Sequence, residues 1–230
     1  IYWTAELELE VPQEGMTINY SYQIEQNGIV IRKEWDSFSR SIFLSGSSRK
    51  IYRINDCWKN IPEQLYLYSS AFTEALLAHP EKENIPQRYK KGLVIKAYAP
   101  RINKDYCLAI CGNQKSLGHW DPEKAVLMSD TNFPEWQIEL DASKLKYPLE
   151  YKFILYNKQE KKADCWEKNP NRYLADSELK TNETLVISDR YVYFDIPAWK
   201  GAGIAIPVFS LKSEKSFGVG DFGDLKRMVD

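Results

Sequence analysis

Two tryptophans, Trp120 and Trp166, have polar neighbours, whereas a core tryptophan usually has apolar ones. Trp120 lies in the segment 117–121, among Gly, His and Asp, and Trp166 precedes Glu, Lys and Asn. Exposed indole rings in such surroundings suit sugars, because the apolar C–H face of a pyranose stacks on indole. The sugar hydroxyls could then hydrogen-bond to Lys152 and Asn171. The pattern leaves two alternatives open, a binding platform or structural tryptophans, since tryptophan is rarely fully buried in any case.

Other groups of reactive side chains give no sign of catalysis or of a cofactor. Cys107 and Cys111 share one face of a predicted strand, and a zinc site would need closer pairs or nearby histidines. Buried thiols in a reducing, cytoplasmic environment are the simpler interpretation. The Gly-Val-Gly segment at 218–220 lacks the Lys-Ser/Thr ending of a phosphate loop, and Asp221 and Asp224 are expected to cap a helix. The sequence therefore predicts no metal site, no cofactor and no catalytic residue within this chain.

The composition is that of a globular protein and excludes two classes of partner. Of the 230 residues, 43% are apolar and 27% charged, which is enough for a real core. The 31 basic and 32 acidic residues give a formal charge of −1, so the chain lacks the basic field that nucleic acid or an anionic membrane requires. No stretch approaches the roughly 18 apolar residues of a membrane span. We expect a soluble protein whose unusual feature is its aromatic content, 13% of the chain.

An internal repeat organises the sequence. Residues 1–52 would be the C-terminal part of a first β-rich copy, which lacks its opening strands, and residues 91–195 a complete second copy. The first copy would begin with a strand over 3–9, where apolar and polar residues alternate. On this alignment Trp35 is the counterpart of Trp166, with either a binding or a structural role. The matched positions are Trp3 with Trp136, Tyr22 with Phe153, and Trp35 with Trp166, at offsets of 133, 131 and 131 residues.

The second copy is predicted to be an immunoglobulin-like antiparallel β-sandwich. Turn-forming clusters at 112–113, 129–132 and 169–171 separate short runs with strand patterns. Seven short strands in about a hundred residues are typical of that fold. A connector, 53–90, carries a short helical pattern over 70–77. The predicted strands cover residues 93–100, 106–111, 136–140, 149–155, 162–166, 183–187 and 191–194.

Three blocks of this second copy resemble the starch-binding carbohydrate-binding modules of family 20. They are Leu-Gly-His-Trp at 117–120, Glu-Tyr-Lys-Phe-Ile at 150–154 and Trp-Glu-Lys-Asn-Pro-Asn-Arg at 166–172, in the family's order. The resemblance implies that the partners are α-glucans, such as starch, glycogen and maltooligosaccharides. It implies a main site formed by Trp120, Lys152, Trp166, Glu167 and Asn171, and a possible second site with Phe133 and Trp136.

The C-terminal segment, 196–230, predicts one strand followed by a helix. Residues 203–211 are almost continuously apolar, which is typical of a strand buried in a parallel sheet, and Asp221 with Asp224 marks a helix start. This segment resembles the first βα unit of family 77 glycoside hydrolases, which are 4-α-glucanotransferases. The resemblance implies the beginning of the (β/α)8 catalytic barrel of a cytoplasmic enzyme that transfers α-1,4-glucan segments by a retaining mechanism. The catalytic carboxylates are then expected outside this chain.

Two other classes of function are compatible with the sequence. The chain could be an immunoglobulin-like module for a protein partner, which buried and distant Trp120 and Trp166 side chains would favour. It could instead serve another starch-active enzyme, such as an amylase or a glucan kinase, although the segment 210–213 argues against this. Because the chain begins within a strand pattern and ends within a helical one, we expect it to be a piece of a larger protein.

Overall fold

The computed structural model describes residues 3–35, 39–46, 50–76, 88–196, 206–214 and 218–229. The chain divides into two compact units, one ending at Asp195 and one beginning at Ile196. In the ranges above, no helix has the length and apolar character needed to cross a membrane.

The first unit consists mainly of β-strands, as the sequence predicts. Short helical turns connect some of them, at Leu65–Tyr68, Lys115–Trp120, Pro122–Lys124 and Ala142–Lys144, together with a π-helix at Ala71–Leu76. The strands are β1 (Met16–Tyr20), β2 (Gln23–Gln26), β3 (Ile29–Lys33), β4 (Arg40–Leu44), β5 (Ile51–Asn55), β6 (Lys91–Tyr98), β7 (Tyr106–Gly112), β8 (Val126–Leu127), β9 (Ser129–Asn132), β10 (Glu135–Asp141), β11 (Leu149–Asn157), β12 (Lys162–Trp166), β13 (Arg172–Leu174) and β14 (Glu183–Tyr191).

Two sheets form the sandwich of the second copy. One contains β14, β6, β10 and β9 in that order, and the other contains β12, β11, β7 and β8, with β13 beside β11. β14 runs parallel to β6, so the predicted wholly antiparallel arrangement is wrong at this pair. The last strand of the sandwich returns beside the first in the same direction. Every second residue along β6, β7 and β11 points between the two sheets. These residues form the core, and among them Leu93, Ile95, Leu108, Ile110 and Phe153 are completely shielded from solvent.

The strand predictions for the second copy succeed where alternation is long and fail where strands are short. β12 has the predicted bounds, and five further predicted strands occur with ends displaced by at most four residues. The strand predicted over 191–194 is wrong, because only Tyr191 belongs to β14. Residues 129–132, predicted as a turn, form β9 and pair with β10. β8 and β13 were not predicted, since two and three residues are too few to show alternation.

The first copy repeats the strand pairings of the second. Tyr20 of β1 lies opposite Arg40 of β4, as Tyr151 of β11 lies opposite Arg172 of β13. The next pairing, β2 with β3, has the same register as β11 with β12. The two parts of the sequence therefore share local structure as well as residue pattern.

Strands of the first copy join the sheet and the core of the second. β5, at Ile51–Asn55, crosses the predicted boundary between the first copy and the connector; it pairs in parallel with β14 and so extends the sheet beyond the sandwich. Ile42 and Leu44 of β4 form a buried cluster with Val94 of β6 and Val186 of β14. This burial of apolar surface stabilises the connection between the two copies.

The strand predicted over 3–9 is wrong. Residues 3–10 have no regular structure, and the side chains of Trp3 and Leu7 are 91% and 80% exposed. Trp136, which matches Trp3 in the repeat, lies in β10, whose ladder with β6 holds it in place. No strand in the described part of the chain pairs with residues 3–10. Alternation without a partner strand therefore does not produce a strand here.

The second unit contains a capped helix but not the predicted strand. Residues 203–205 lie outside the described residues, and Val208–Ser210 form a single 3₁₀ turn rather than a strand. A strand buried on both faces requires neighbouring strands, and the described residues of this unit contain none. Helix α1 spans Phe222–Val229. Its cap is confirmed, because Asp221 accepts from the Asp224 N–H at 3.0 Å and its own N–H donates to Asp224 at 3.1 Å.

Candidate functional site

The strand part of the candidate site lies on the outer face of the sheet that contains β11. Trp166, the last residue of β12, is directly opposite Ile154 of β11. Lys152 lies two residues before Ile154, so it projects from the same face. Tyr151 and Phe153 alternate with these residues and are buried on the inner face. Trp166 and Lys152 are thus diagonal neighbours on this face, which also carries a small buried cluster of Ala109, Cys111 and Ile154.

The loop part of the site brings Trp120 over that face in a left-handed backbone conformation. Gly118, His119 and Trp120 have φ angles of 79°, 52° and 62°. Such angles favour glycine and are uncommon for other residues, above all for a bulky one. A Cβ atom at Gly118 would lie 2.7 Å from the carbonyl oxygen of Lys124. The tight turn therefore requires glycine at 118, and it fixes the direction of the Trp120 side chain.

Hydrogen bonds within the loop, and one to the sheet, hold this loop in place. The His119 N–H donates to the Gln114 carbonyl at 2.9 Å, and the Asp121 N–H donates to the Gly118 carbonyl at 3.0 Å. The thiol of Cys111, on β7, donates to the Asp121 carbonyl at 3.5 Å. Leu117 is completely buried beneath the loop. Trp120 consequently stands on a rigid support.

The two cysteines of β7 are buried thiols, as predicted. Burial raises the pKa of Cys107 to about 11 and also raises the pKa of Cys111. A high thiol pKa disfavours the thiolate form that binds metal ions. Within the ranges that the structure describes, no group of three or more His, Cys, Asp or Glu side chains could hold a metal ion.

The structure places Trp120 and Trp166 side by side. Their ring centroids are 6.1 Å apart, and the ring planes are inclined at 45°. Trp166 is 37% exposed and Trp120 is half-buried. We call these two rings the tryptophan platform.

Two polar side chains have unused hydrogen-bonding groups, Lys152 beside Trp166 and Asn171 in the segment between β12 and β13. Lys152 is half-buried and Asn171 is exposed. Neither side chain forms a hydrogen bond or an ion pair with another residue in the described part of the chain. Lys152 supplies donors, whereas the Asn171 amide supplies both donors and an acceptor. Both are therefore available to a polar ligand that lies on the rings.

Glu167 has a different role from the one that the sequence predicts. Its side chain is buried, and its Oε1 accepts the Phe153 N–H at 2.7 Å and forms an ion pair with Arg172. Burial raises the pKa of this carboxyl group, and the nearby Arg172 guanidinium opposes that effect. The carboxylate is used inside the domain and is not presented to a ligand, so the prediction of a sugar contact is corrected here.

Sequence reasoning missed the buried network to which Glu167 belongs. Arg172 also approaches Asp189 at 3.2 Å, and the Tyr151 hydroxyl donates to Asp189 at 2.7 Å. The first copy contains the same arrangement, in which Arg40 pairs with Glu34. The remaining partners there are Asp56, at 3.2 Å from Arg40, and the Tyr20 hydroxyl, at 2.8 Å from Asp56. A tyrosine, an arginine and two acids at nearly constant offsets were the signal that could have revealed the network.

Phe133 and Trp136 do not form a second surface site in this structure. Trp136 has no exposed surface, and its indole N–H donates to the Ala99 carbonyl at 3.2 Å. Phe133 is 5% exposed and contacts Trp136 edge to face, with ring centroids 6.2 Å apart. Both rings are part of the core, because Trp136 lies on the inner face of β10.

Trp35 is not the structural counterpart of Trp166. In the shared register, Lys33 lies opposite Gln23 as Trp166 lies opposite Ile154. The Glu34 N–H donates to the Tyr22 carbonyl at 2.9 Å, as the Glu167 N–H donates to the Phe153 carbonyl at 3.0 Å. Lys33 therefore occupies the platform position in the first copy. Trp35 is 8% exposed and packs edge to face on Tyr68, so its role is structural.

The second copy matches a known family of domains. The family model described as "Starch binding domain" (CBM_20) matches residues 94–185, a range that contains both platform rings, Lys152 and Asn171. This part of the chain is therefore similar to starch-binding domains.

Most of the chain is similar to a plant enzyme. It is 27% identical to the 4-alpha-glucanotransferase DPE2 of Oryza sativa subsp. japonica over 235 residues, which cover 94% of this chain and 24% of that protein. The chain thus spans about a quarter of the length of this relative.

Solved structures of starch-active proteins also match part of the chain. The family 20 module of a maltotetraose-forming amylase from Pseudomonas saccharophila STB07 is 19% identical, with a TM-score of 0.35, over 43% of this chain and 99% of that one. A family 15 glucoamylase from Hypocrea jecorina is 20% identical, with a TM-score of 0.37, over 45% of this chain and 17% of that one.

Proposed function

We propose that the second copy is a starch-binding domain whose tryptophan platform binds an α-glucan chain. The observation that carries this proposal is the pairing of Trp120 and Trp166 at 6.1 Å on an outer face, next to unused polar groups. Each indole offers a flat apolar surface to the C–H face of one sugar ring. Lys152 and Asn171 then hydrogen-bond to the hydroxyls that project from the edges of those rings.

The inclination of the rings favours a curved polymer over a flat one. Successive sugar rings of an α-1,4-linked glucan are turned relative to one another, so the chain bends. Two indole planes inclined at 45° can each stack on one of two consecutive sugars of such a chain. A flat, extended β-linked chain would contact only one of them well. The platform thereby selects for linkage type by shape.

We further propose that the chain is the non-catalytic region of a 4-α-glucanotransferase of glycoside hydrolase family 77. The similarity to the rice enzyme over 94% of this chain supports the proposal. Residues 196–230 would begin the catalytic barrel, with α1 as its first helix, in a cytoplasmic protein. The carboxylates of the retaining reaction would lie beyond these residues. This chain would then hold glycogen, starch or maltooligosaccharides near a catalytic site that another part of the protein supplies.

A role as a protein-interaction module is less well supported. Such a role would be favoured by buried, distant Trp120 and Trp166 side chains, whereas the rings are in contact and Trp166 is 37% exposed. If the chain instead belongs to another starch-active enzyme, the platform would have the same role and only the attached catalytic region would be different.

Isothermal titration calorimetry with maltoheptaose tests the proposed site. The wild-type chain is expected to bind one ligand per chain with a dissociation constant of about 1 µM to 1 mM. Trp166→Ala should abolish binding, whereas Trp3→Ala should not, because Trp3 is exposed but lies outside the platform. Far-UV circular dichroism confirms that each variant is folded. Equal affinity of both variants would refute the proposed site.

A further inference from the structure

A shallow pocket lies between the loop that carries Trp120 and the loop that precedes β11. His119, which directly precedes Trp120, belongs to its wall, so the pocket and the platform are contiguous along the chain. We call it the lysine pocket. Its lining residues are Asn113, Gln114, Lys115, Ser116, His119, Lys144 and Lys146.

Hydrogen bonds fasten the two loops to each other. The Gln114 side-chain amide donates to the Lys146 carbonyl at 3.1 Å and accepts the Lys146 N–H at 3.0 Å. The Asn113 side chain donates to the Pro148 carbonyl at 2.9 Å. The His119 Nδ1 lies 3.1 Å from the Asn113 carbonyl. Because a carbonyl only accepts, Nδ1 carries a proton, and Nε2 remains for another partner.

The side chains that line the pocket carry positive charge and no negative charge. Three of its seven lining residues are lysines, and none is acidic. Lys144 is partly neutralised by Asp141, whose carboxylate is 3.3 Å from its ammonium group. Lys115 and Lys146 form no ion pair with any residue in the described ranges. Two ammonium groups without an ion pair, together with the Ser116 hydroxyl, are hydrogen-bond donors of the kind that bind the oxygens of a phosphate group.

We propose that the lysine pocket binds a phosphate monoester carried by the same glucan chain that lies on the tryptophan platform. The inference rests on the proposed function, since the platform must hold the glucan. A phosphate attached to that glucan is kept at a high effective concentration near the pocket. Free phosphate has the same chemistry but lacks this advantage, so the ester is the expected ligand.

Titration with two maltodextrin samples tests the inference. One sample carries phosphate monoesters, and the other is the same material after phosphatase treatment. Wild type should bind the phosphorylated sample about fivefold more tightly at low salt, and about 0.5 M salt should remove most of the difference, because exposed charge pairs are weak and screened. The double variant Lys115→Gln/Lys146→Gln should lose the difference and keep its affinity for the dephosphorylated sample. Lys90→Gln/Lys180→Gln, which changes two exposed lysines outside the pocket, is the matched control.

The outcomes separate this inference from the proposed function. Equal affinity of wild type for both samples overturns the phosphate site and leaves glucan binding intact. Absence of binding to either sample overturns the proposed function and this inference with it. Inorganic phosphate is added as a competitor at the concentration of ester phosphate in the phosphorylated sample. If it abolishes the preference of wild type for that sample, the proposed link between the phosphate site and the glucan is overturned.

Discussion

Arg172 joins the two chain segments that carry the platform residue Trp166 and the polar residue Asn171. Its guanidinium pairs with Glu167, which directly follows Trp166, and Arg172 itself directly follows Asn171. The ion pair is buried and also holds the Phe153 N–H. Glu167 and Arg172 thus act as positioning residues, because their side chains join the backbone segments on both sides of the candidate site.

Replacement of Glu167 by Gln is expected to lower the free energy of unfolding by about 3 kcal/mol, because Arg172 then keeps a buried charge with fewer partners. Urea denaturation monitored by tryptophan fluorescence measures the change. Glu160→Gln is the control, since its pair with Lys162 is more than half exposed and should contribute less than about 0.5 kcal/mol. Similar losses in the two variants would contradict the buried role of the Glu167 pair.

Lys152→Met and Asn171→Ala should each weaken maltoheptaose binding about 3- to 10-fold, because each removes about one hydrogen bond to the sugar. Thermal stability should change little, since neither side chain has a partner in the described part of the protein. Calorimetric titration provides the affinities. Unchanged binding in both variants would exclude these side chains from the site.

Gly118→Ala should destabilise the chain by about 2 kcal/mol and weaken glucan binding. The added Cβ meets the Lys124 carbonyl oxygen at 2.7 Å, and the left-handed backbone disfavours alanine. Gly28→Ala is the matched control, because Gly28 has a φ of 77° but no atom within 4 Å of its added Cβ. That control should cost about 1 kcal/mol from backbone strain alone and leave glucan affinity unchanged. If Gly118→Ala retains glucan affinity as well as Gly28→Ala does, the conformation of the Trp120 loop does not depend on glycine at 118.

Trp35→Ala and Trp166→Ala should have opposite profiles. Trp35 is buried, so its removal should cost about 3 kcal/mol of unfolding free energy and leave glucan binding in place wherever the protein is folded. Trp166→Ala should abolish binding and cost less stability than Trp35→Ala, because 37% of the Trp166 side chain is already exposed to solvent. Chemical denaturation and glucan titration, performed on the same samples, distinguish the two. Loss of binding in folded Trp35→Ala would restore it as a site residue.

Iodoacetamide at pH 8.5 should modify Cys57 well before Cys107. The raised pKa of about 11 leaves Cys107 with a thiolate fraction of about 0.3% at that pH, and burial adds a steric barrier. Cys57 is exposed. Peptide mass spectrometry after timed quenching measures both rates. Comparable rates at the two positions would show that β7 opens readily.

The sequence predicts those elements whose local pattern is long enough and whose partners lie nearby. Lys162–Trp166 was predicted with its bounds, because its alternation and its flanking turns are both visible. The segment 3–9 alternates equally well but forms no strand, since pairing depends on residues that its own pattern does not contain. Resemblance to a family identified the platform rings, which the structure brings into contact.

The wrong predictions at the candidate site arise because strand register and side-chain burial cannot be read from the sequence alone. A constant sequence offset matched Trp35 to Trp166, but the ladder shows that Lys33 lies at the equivalent position. A shift of two residues is small in a sequence alignment. On a strand, however, it changes which residue of the partner strand lies opposite, and so it changes which side chain occupies the platform position. Residue type also cannot show which face of a strand is inside, so Trp136 and Phe133 were assigned to the surface although they pack in the core.

The left-handed turn at Gly118, His119 and Trp120 has a consequence for the speed of binding. Because the turn fixes one ring before any sugar arrives, little conformational entropy remains to be lost on association. A prepared surface with modest affinity captures and releases its ligand quickly. On a polymer with many equivalent sugar units, such a domain would move readily from one stretch to the next and keep its contact with the chain as a whole.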